Sequence, residues 1–304
     1  MSRLRWIVGD SRHLADLESN SIHLIVTSPP YWQIKDYGHA SQVGFSESYE
    51  SFINNLNLVW SECERVLHPG CRLCVNVGDQ FARAAAYGRY KLISLQSEVI
   101  RCCENLGMDY MGTIIWRKVT SMRTTGGAVI MGSYPRPRNG MIKVDFEYIL
   151  LFKKLGQPPA VSQDQKAAAT LTAEEWNTFF AGHWSIPGEK GSSHPAAFPV
   201  EVPARLIRMF SFPGETVLDP FAGSGTTLKA ASEWGRFAVG YDIHPGFAEV
   251  ARSRLPEIDV VESPPLDPEF VARKLEGLPY PFRDPHGFDR RRSPDEVEQL
   301  MRSR

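Results

Sequence analysis

A chain of 304 residues, 42% hydrophobic and 23% charged, has room for one large α/β domain or for one domain carrying insertions. Its formal net charge of −1 excludes a global basic footprint, so contact with nucleic acid has to come from a local patch. The opening residues, MSRLRWIVGD, are too poor in apolar residues for a signal peptide, and no run approaches a membrane span; with five cysteines, an odd number, the expectation is free thiols in the cytoplasm.

Leu4–Val8 reads as a short strand ending at Gly9-Asp10. Ile22–Val26 is a second, apolar apart from His23 as in a parallel strand covered on both faces, and it runs out through Thr27-Ser28 into two prolines and two aromatics. Residues 33–46 lack periodicity and read as a loop. Phe52, Leu56, Val59, Cys63, Val66 and Leu67 recur at helical spacing, and His68-Pro69-Gly70 stops that helix. Arg72–Val77 is a strand ending at Gly78-Asp79. Cys71-x-x-Cys74 has no second cysteine pair and no histidine at ligand spacing, so the two are read as core residues on opposite faces and no metal is expected. A helix is predicted over 91–106, then strands at Tyr110–Trp116 and Phe146–Phe152, a linker over 156–171 and a short helix at Ala173–Phe180. Helices at Glu201–Phe210, Thr226–Glu233 and Phe247–Leu255 alternate with strands at Thr216–Leu218 and Phe237–Ile243. The alternation predicts an α/β fold with a mostly parallel sheet. Residues 256–304, rich in Pro, Asp, Glu and Arg, read as a C-terminal extension, with a helix start at Ser293-Pro294-Asp295-Glu296.

Two stretches carry chemistry. In VLDPFAGSGTT, residues 217–227, a strand ends in Asp219 and a glycine turn opens a helix, so backbone can approach a ligand at a helix N-terminus. A phosphate loop is disfavoured, because Lys229 comes too late after Gly225 and Asp219 would repel phosphate. An acid beside amide donors suits a zwitterion, the acid taking an ammonium and the amides a carboxylate, as at the amino-acid end of S-adenosylmethionine. Asp242, closing the next strand, suits a pair of ribose hydroxyls. The other stretch is TSPPYW, residues 27–32.

TSPPYW followed much later by HPAAFP (194–199) and DPFAGSGTT resembles the amino-DNA methyltransferases, in the β arrangement that places the catalytic motif before the cofactor motif. The likeness spans roughly residues 4–255 and includes RVLHPG before a strand ending NVGD, IIWRK at 114–118, DFEYILLFKK at 145–154 and GYDIHPGFAEVARSRL at 240–255. It implies an S-adenosylmethionine-dependent, Rossmann-like methyltransferase fold with permuted motif order. By that resemblance Ser28, Pro29, Pro30 and Tyr31 grip the exocyclic amine of a base turned out of the duplex. The Ser28 hydroxyl and Pro29 carbonyl accept from the amine, the prolines hold them rigidly, and Tyr31 offers a stacking face. Asp219, Phe221, Ala222, Gly223, Ser224, Gly225 and Asp242 would hold the cofactor, with Asp10 near its adenine and His194 and Phe198 on the other side. Phe198 and Phe221 would serve equally as core, and His194 as a helix cap. Serine at the head of the motif points to the 4-amino group of cytosine; the 6-amino group of adenine is the alternative.

Residues 117–143 carry Arg117, Lys118, Arg123, Arg136, Arg138 and Lys143 with no acid among them, a basic segment suited to phosphates and base edges. Residues 156–190, with Trp176, are a second candidate for recognition, and 33–46 for closure over the base. The expected organisation is a catalytic half at 1–118, target recognition at 119–190, a cofactor half at 191–255 and the extension at 256–304. Double-stranded DNA is the expected partner, with a cognate restriction endonuclease as a further candidate; monomer and homodimer both stay open. Rival readings are a nucleotide-binding hydrolase and a DNA-binding protein without catalysis.

Overall fold

A computed structural model of the chain describes residues 3–32, 36, 38, 39, 41–82, 91–118, 134–140, 142, 144–188, 198–278 and 281–283. Strands β1 (Leu4–Val8), β2 (Ile22–Thr27) and β3 (Leu67–Val77) open the fold, with helix α1 (Tyr49–Val66) between the last two. A small antiparallel ribbon, β4 (Gln80–Ala82) and β5 (Lys91–Ile93), leads to α2 (Leu95–Asn105), β6 (Met108–Lys118) and β7 (Phe146–Lys154). Then come α3 (Gln163–Ala168), α4 (Ala173–Phe179), β8 (His183–Ile186), α5 (Glu201–Phe210), β9 (Thr216–Asp219), α6 (Thr226–Glu233), β10 (Phe237–Asp242), α7 (Pro245–Arg254), β11 (Asp259–Glu262) and α8 (Pro268–Glu276).

Nine strands form one sheet in the order β11-β1-β10-β9-β2-β3-β7-β6-β8. Every neighbouring pair is parallel except those of β7, which runs against both β3 and β6. The two apolar faces of the sheet are covered separately. Phe52, Val59, Trp60 and Cys63 of α1 and Val99 of α2 bury one face, and Leu206, Ile207, Leu228 and Ala251 of α5, α6 and α7 bury the other. Strand periodicity then explains the cysteines: Cys71 lies in the first core and Cys74 in the second. All five cysteines are free and buried, and burial pushes the Cys71 and Cys74 thiols up to about 11 and about 12.

Several elements differ from the sequence expectation. The helix expected from 91 begins at Leu95, because Lys91–Ile93 pairs with β4. The segment expected as a linker contains α3, which Ser162 and Gln165 start with a capping box. Residues past 256 contribute β11, hydrogen-bonded along β1 at the sheet edge, and α8. The N-terminal strand β1 sits between β11 and β10, so in space it belongs with the C-terminal strands. The helix start at Ser293 lies outside the described residues.

Strands β2 and β9 are neighbours, yet the helices that follow them, α1 and α6, cover opposite faces. In an open α/β sheet such a point leaves a crevice beyond the strand ends. Both motif stretches leave the sheet there.

Candidate active site

The crevice holds a cavity of about 400 Å³, within the usual range for a ligand site. Ser28, Pro29, Pro30 and Tyr31 border it at the end of β2; Asp219, Phe221, Ala222, Gly223 and Ser224 border it at the end of β9; Asp242 borders it at the end of β10. Asp10 and Phe198 also reach it.

At the β9 side Asp219 is fully enclosed. Its Oδ1 accepts from Thr27 Oγ1 at 2.7 Å and from the Phe221 amide at 3.0 Å, and its Oδ2 accepts from Thr227 Oγ1 at 2.6 Å. Burial outweighs these donors and lifts its pKa to about 6. Gly225, at φ +78, makes the left-handed turn into α6 that a side chain would strain. Asp242 accepts from the Gly223 amide and from the His244 amide, each at 2.9 Å, and burial lifts it to about 6 as well. The outer side of the loop is pinned by Arg254 of α7, which donates to Ser224 Oγ at 2.8 Å.

One sequence expectation is narrowed here. The loop amides were expected to receive a carboxylate, but those of Phe221, Ala222, Gly223 and Gly225 already donate to Asp219, Tyr241, Asp242 and Ala222. The amide of Ser224, which borders the cavity, is not among them. The carboxylates still fit the expected cofactor. A carboxylate offers about four acceptor positions. Asp242 uses two and retains enough for a diol, and Asp219 retains one for an ammonium, while Phe221, Ile243 and Phe198 provide apolar wall.

At the β2 side the Tyr31 hydroxyl accepts from the Gly78 amide at 3.0 Å, which fixes the ring over the end of β3. Ser28 Oγ lies 3.5 Å from Asn76 Nδ2, and that nitrogen donates to Glu147 Oε2 at 2.7 Å. Lys118 closes the line by an ion pair with Glu147.

The other expected residues fall as follows. Asp10 reaches the cavity, but Arg12 grips its carboxylate through Nε at 3.0 Å and Nη2 at 2.6 Å. Phe198 both borders the cavity and packs into the second core; Phe221 borders it and meets Trp60 edge-on at 6.4 Å. Gly225 shapes the turn and is not on the wall. Lys118, expected on DNA phosphate, is held on the cavity wall by Glu147. Arg117, Arg136 and Arg138 are exposed and off the cavity, Arg136 preceding and Arg138 within a short 3₁₀ turn at Pro137–Asn139. His194, Arg123 and Lys143 lie outside the described residues. Asn76, Glu147 and Arg254 were not singled out by the sequence, although they stand inside NVGD, DFEY and ARSRL, stretches that carried the resemblance.

A family model described as DNA methylase, covering the N6 and N4 enzymes, matches residues 22–253. The chain belongs to the amino-DNA methyltransferase family. S-adenosylmethionine is that family's methyl donor. The chain is 35% identical over 280 residues to the type II methyltransferase M.MjaI of Methanocaldococcus jannaschii, covering 82% of this methyltransferase and 90% of that one. Among solved structures it is similar to the putative DNA modification methylase TTHA0409 of Thermus thermophilus in complex with S-adenosyl-L-methionine, at 38% identity and a TM-score of 0.71, covering 86% of this chain and 98% of that one. The PvuII DNA methyltransferase, described as cytosine-N4-specific, shares the fold at 18% identity and a TM-score of 0.61, covering 91% of this chain and 93% of that one. Among the described residues no helix is long and apolar enough to cross a membrane.

Proposed function

We propose that this methyltransferase transfers a methyl group from S-adenosylmethionine to the 4-amino group of cytosine in double-stranded DNA, with the target base everted into the cavity. The supporting observation is that the Ser28 corner and the Asp219 and Asp242 carboxylates open onto one cavity, tied together by the Thr27–Asp219 hydrogen bond. When bound, S-adenosylmethionine supplies a methyl carbon on a positively charged sulfur that departs as a neutral thioether. Asp219 and Asp242 would hold its ammonium and ribose, and Phe221 and Ile243 would flank its apolar parts. Ser28 Oγ and the Pro29 carbonyl would accept from the amine. As the nitrogen–carbon bond forms, positive charge grows on that nitrogen, so these acceptors stabilise the transition state more than the ground state. The methylated nitrogen, now cationic, then loses one proton to water. An amine paired inside a duplex cannot enter this enclosed corner, which is why the base must leave the stack.

Serine at the head of the motif favours cytosine over adenine. The type II relatives favour a cognate restriction endonuclease as partner. Mass spectrometry of nucleosides from DNA of cells expressing the chain tests the reading. N4-methylcytosine is the expected product. N6-methyladenine would move the target to adenine, and unmodified DNA would leave a DNA-binding protein without catalysis.

A further inference from the structure

Beyond Ser28 the cavity wall carries polar groups that the Ser-Pro-Pro-Tyr corner does not require. Lys118 at the end of β6 and Glu147 near the start of β7 form an ion pair. Glu147 Oε2 accepts from Asn76 Nδ2 at 2.7 Å, and the same nitrogen lies 3.5 Å from Ser28 Oγ. All four residues border the cavity. The reversed strand β7 builds this line: pairing with β6 sets Glu147 opposite Trp116, and pairing with β3 sets Asn76 opposite Ile149.

An ammonium has three N–H donors, and Glu147 takes one of those of Lys118. Glu147 also offsets the cost of keeping that charge at a wall only one-third exposed, and the Trp116 ring, with its centroid 5.0 Å from Nζ, supports the same position. The succession of contacts keeps Lys118 Nζ within about 11 Å of Ser28 Oγ. Cytosine presents its amine, N3 and O2 along one edge. From N4 to O2 is roughly 5 Å, and a hydrogen bond of about 3 Å at each end gives a similar span. Adenine presents an amine and N1, then a C–H where cytosine has O2. A cation at the far end of the edge therefore rewards cytosine and faces a carbon-bound hydrogen in adenine.

We propose that Lys118, oriented by Glu147, donates to O2 of the everted cytosine and sets the choice of base. This rests on the cytosine reading above. Glu147 is a positioning residue, and Lys118 touches the base.

The test uses the full chain and duplexes containing its modified site, first located by sequencing DNA from expressing cells. Target cytosine is compared with 2-thiocytosine, whose sulfur is a poor acceptor, in the wild type and in Lys118→Met. The thio substitution should lower wild-type kcat/KM roughly 10- to 100-fold, the range of a charged hydrogen bond. Lys118→Met should lose a similar factor on cytosine, respond little to the thio substitution, and bind S-adenosylmethionine as the wild type does. Equal thio effects in both proteins, or a wild type indifferent to sulfur, would overturn the proposal while leaving the cytosine reading intact. Methyladenine in the wild-type product would overturn both. If Lys118→Met does not fold, the wild-type response to sulfur and the thio sensitivity of Glu147→Gln, expected to be reduced, decide the matter; a full thio effect in Glu147→Gln would count against the positioning role.

Discussion

Thr27 Oγ1 donates to Asp219 Oδ1 at 2.7 Å, and this bond joins the last residue of β2 to the last residue of β9. The two strands that lead into the Ser28 corner and the Asp219 loop are thus fastened side by side. Thr27→Val keeps the shape and removes the donor. The enclosed carboxylate then loses one of its three bonds, at a cost of about 2 kcal/mol. Urea unfolding should show that loss, and S-adenosylmethionine should bind more weakly because Asp219 becomes harder to ionise. Thr27→Ser, which restores a hydroxyl, should recover most of both.

Asp219 and Asp242 are each held at about 6 by burial, against an ordinary value of 3.8. The charges of His244 and His39 pull Asp242 the other way without cancelling the shift. Between about pH 4 and 6 the folded chain therefore binds more protons at these groups than the unfolded chain does. Their contribution to apo stability rises as pH falls through 6 and levels off below 4. Cofactor affinity should move in the opposite sense, since an ammonium and a diol need charged acceptors. Calorimetric titration with S-adenosylmethionine from about pH 8 to about pH 5 should show affinity falling below 6, by up to tenfold per pH unit for each acid. Asp242→Asn should remove one of the two proton-linked steps. An affinity that stays flat over this range would exclude these acids as the cofactor's acceptors.

The strands that frame the site were legible because Leu24–Val26 and Val217–Leu218 are uninterrupted apolar runs that end in polar or proline-rich turns. Residues 183–186 and 259–262 escaped notice: they are short edge strands whose burial alternates or is incomplete, so they carry too few apolar residues to stand out. Asn76 and Glu147 were invisible for a different reason. Each is a single polar residue at a strand end, and they meet only because β7 runs antiparallel to β3 in one register. Lys118 was drawn towards DNA by its basic neighbours in sequence, while its partner Glu147 lies on another strand.

Tyr31 separates two roles that one substitution would merge. Its ring borders the cavity and its hydroxyl accepts from the Gly78 amide. Tyr31→Phe removes only the tether, and we expect kcat to fall by less than about tenfold, since one neutral hydrogen bond is worth about 1 kcal/mol. Tyr31→Ala also removes the stacking face. Base stacking on an aromatic is worth roughly 1–3 kcal/mol, so kcat/KM for DNA should fall roughly 10- to 100-fold. Cofactor affinity should be unchanged in both. A Tyr31→Ala enzyme that methylates DNA at the wild-type rate would remove the ring from the base compartment.

Gly78 lies between the Glu147 side chain and the Tyr31 ring. A Cβ added there would stand 3.1 Å from Glu147 Cγ and 3.6 Å from Tyr31 Cε2. The first distance is too short to be comfortable, so Glu147 must shift by a few tenths of an ångström and carry its bonds to Asn76 and Lys118 with it. The glycine's backbone is not in the left-handed region, so alanine introduces no strain of its own and reduces the entropy of the unfolded chain. Gly78→Ala should therefore unfold at a temperature close to that of the wild type and bind S-adenosylmethionine normally. Its methyl transfer should nonetheless fall roughly 3- to 10-fold, because small misplacements of a positioned group are costly to rate. Gly78→Val, with a branched side chain in the same gap, should lose more. Wild-type kcat and KM in both variants would show that the line from Lys118 to Ser28 has no bearing on transfer.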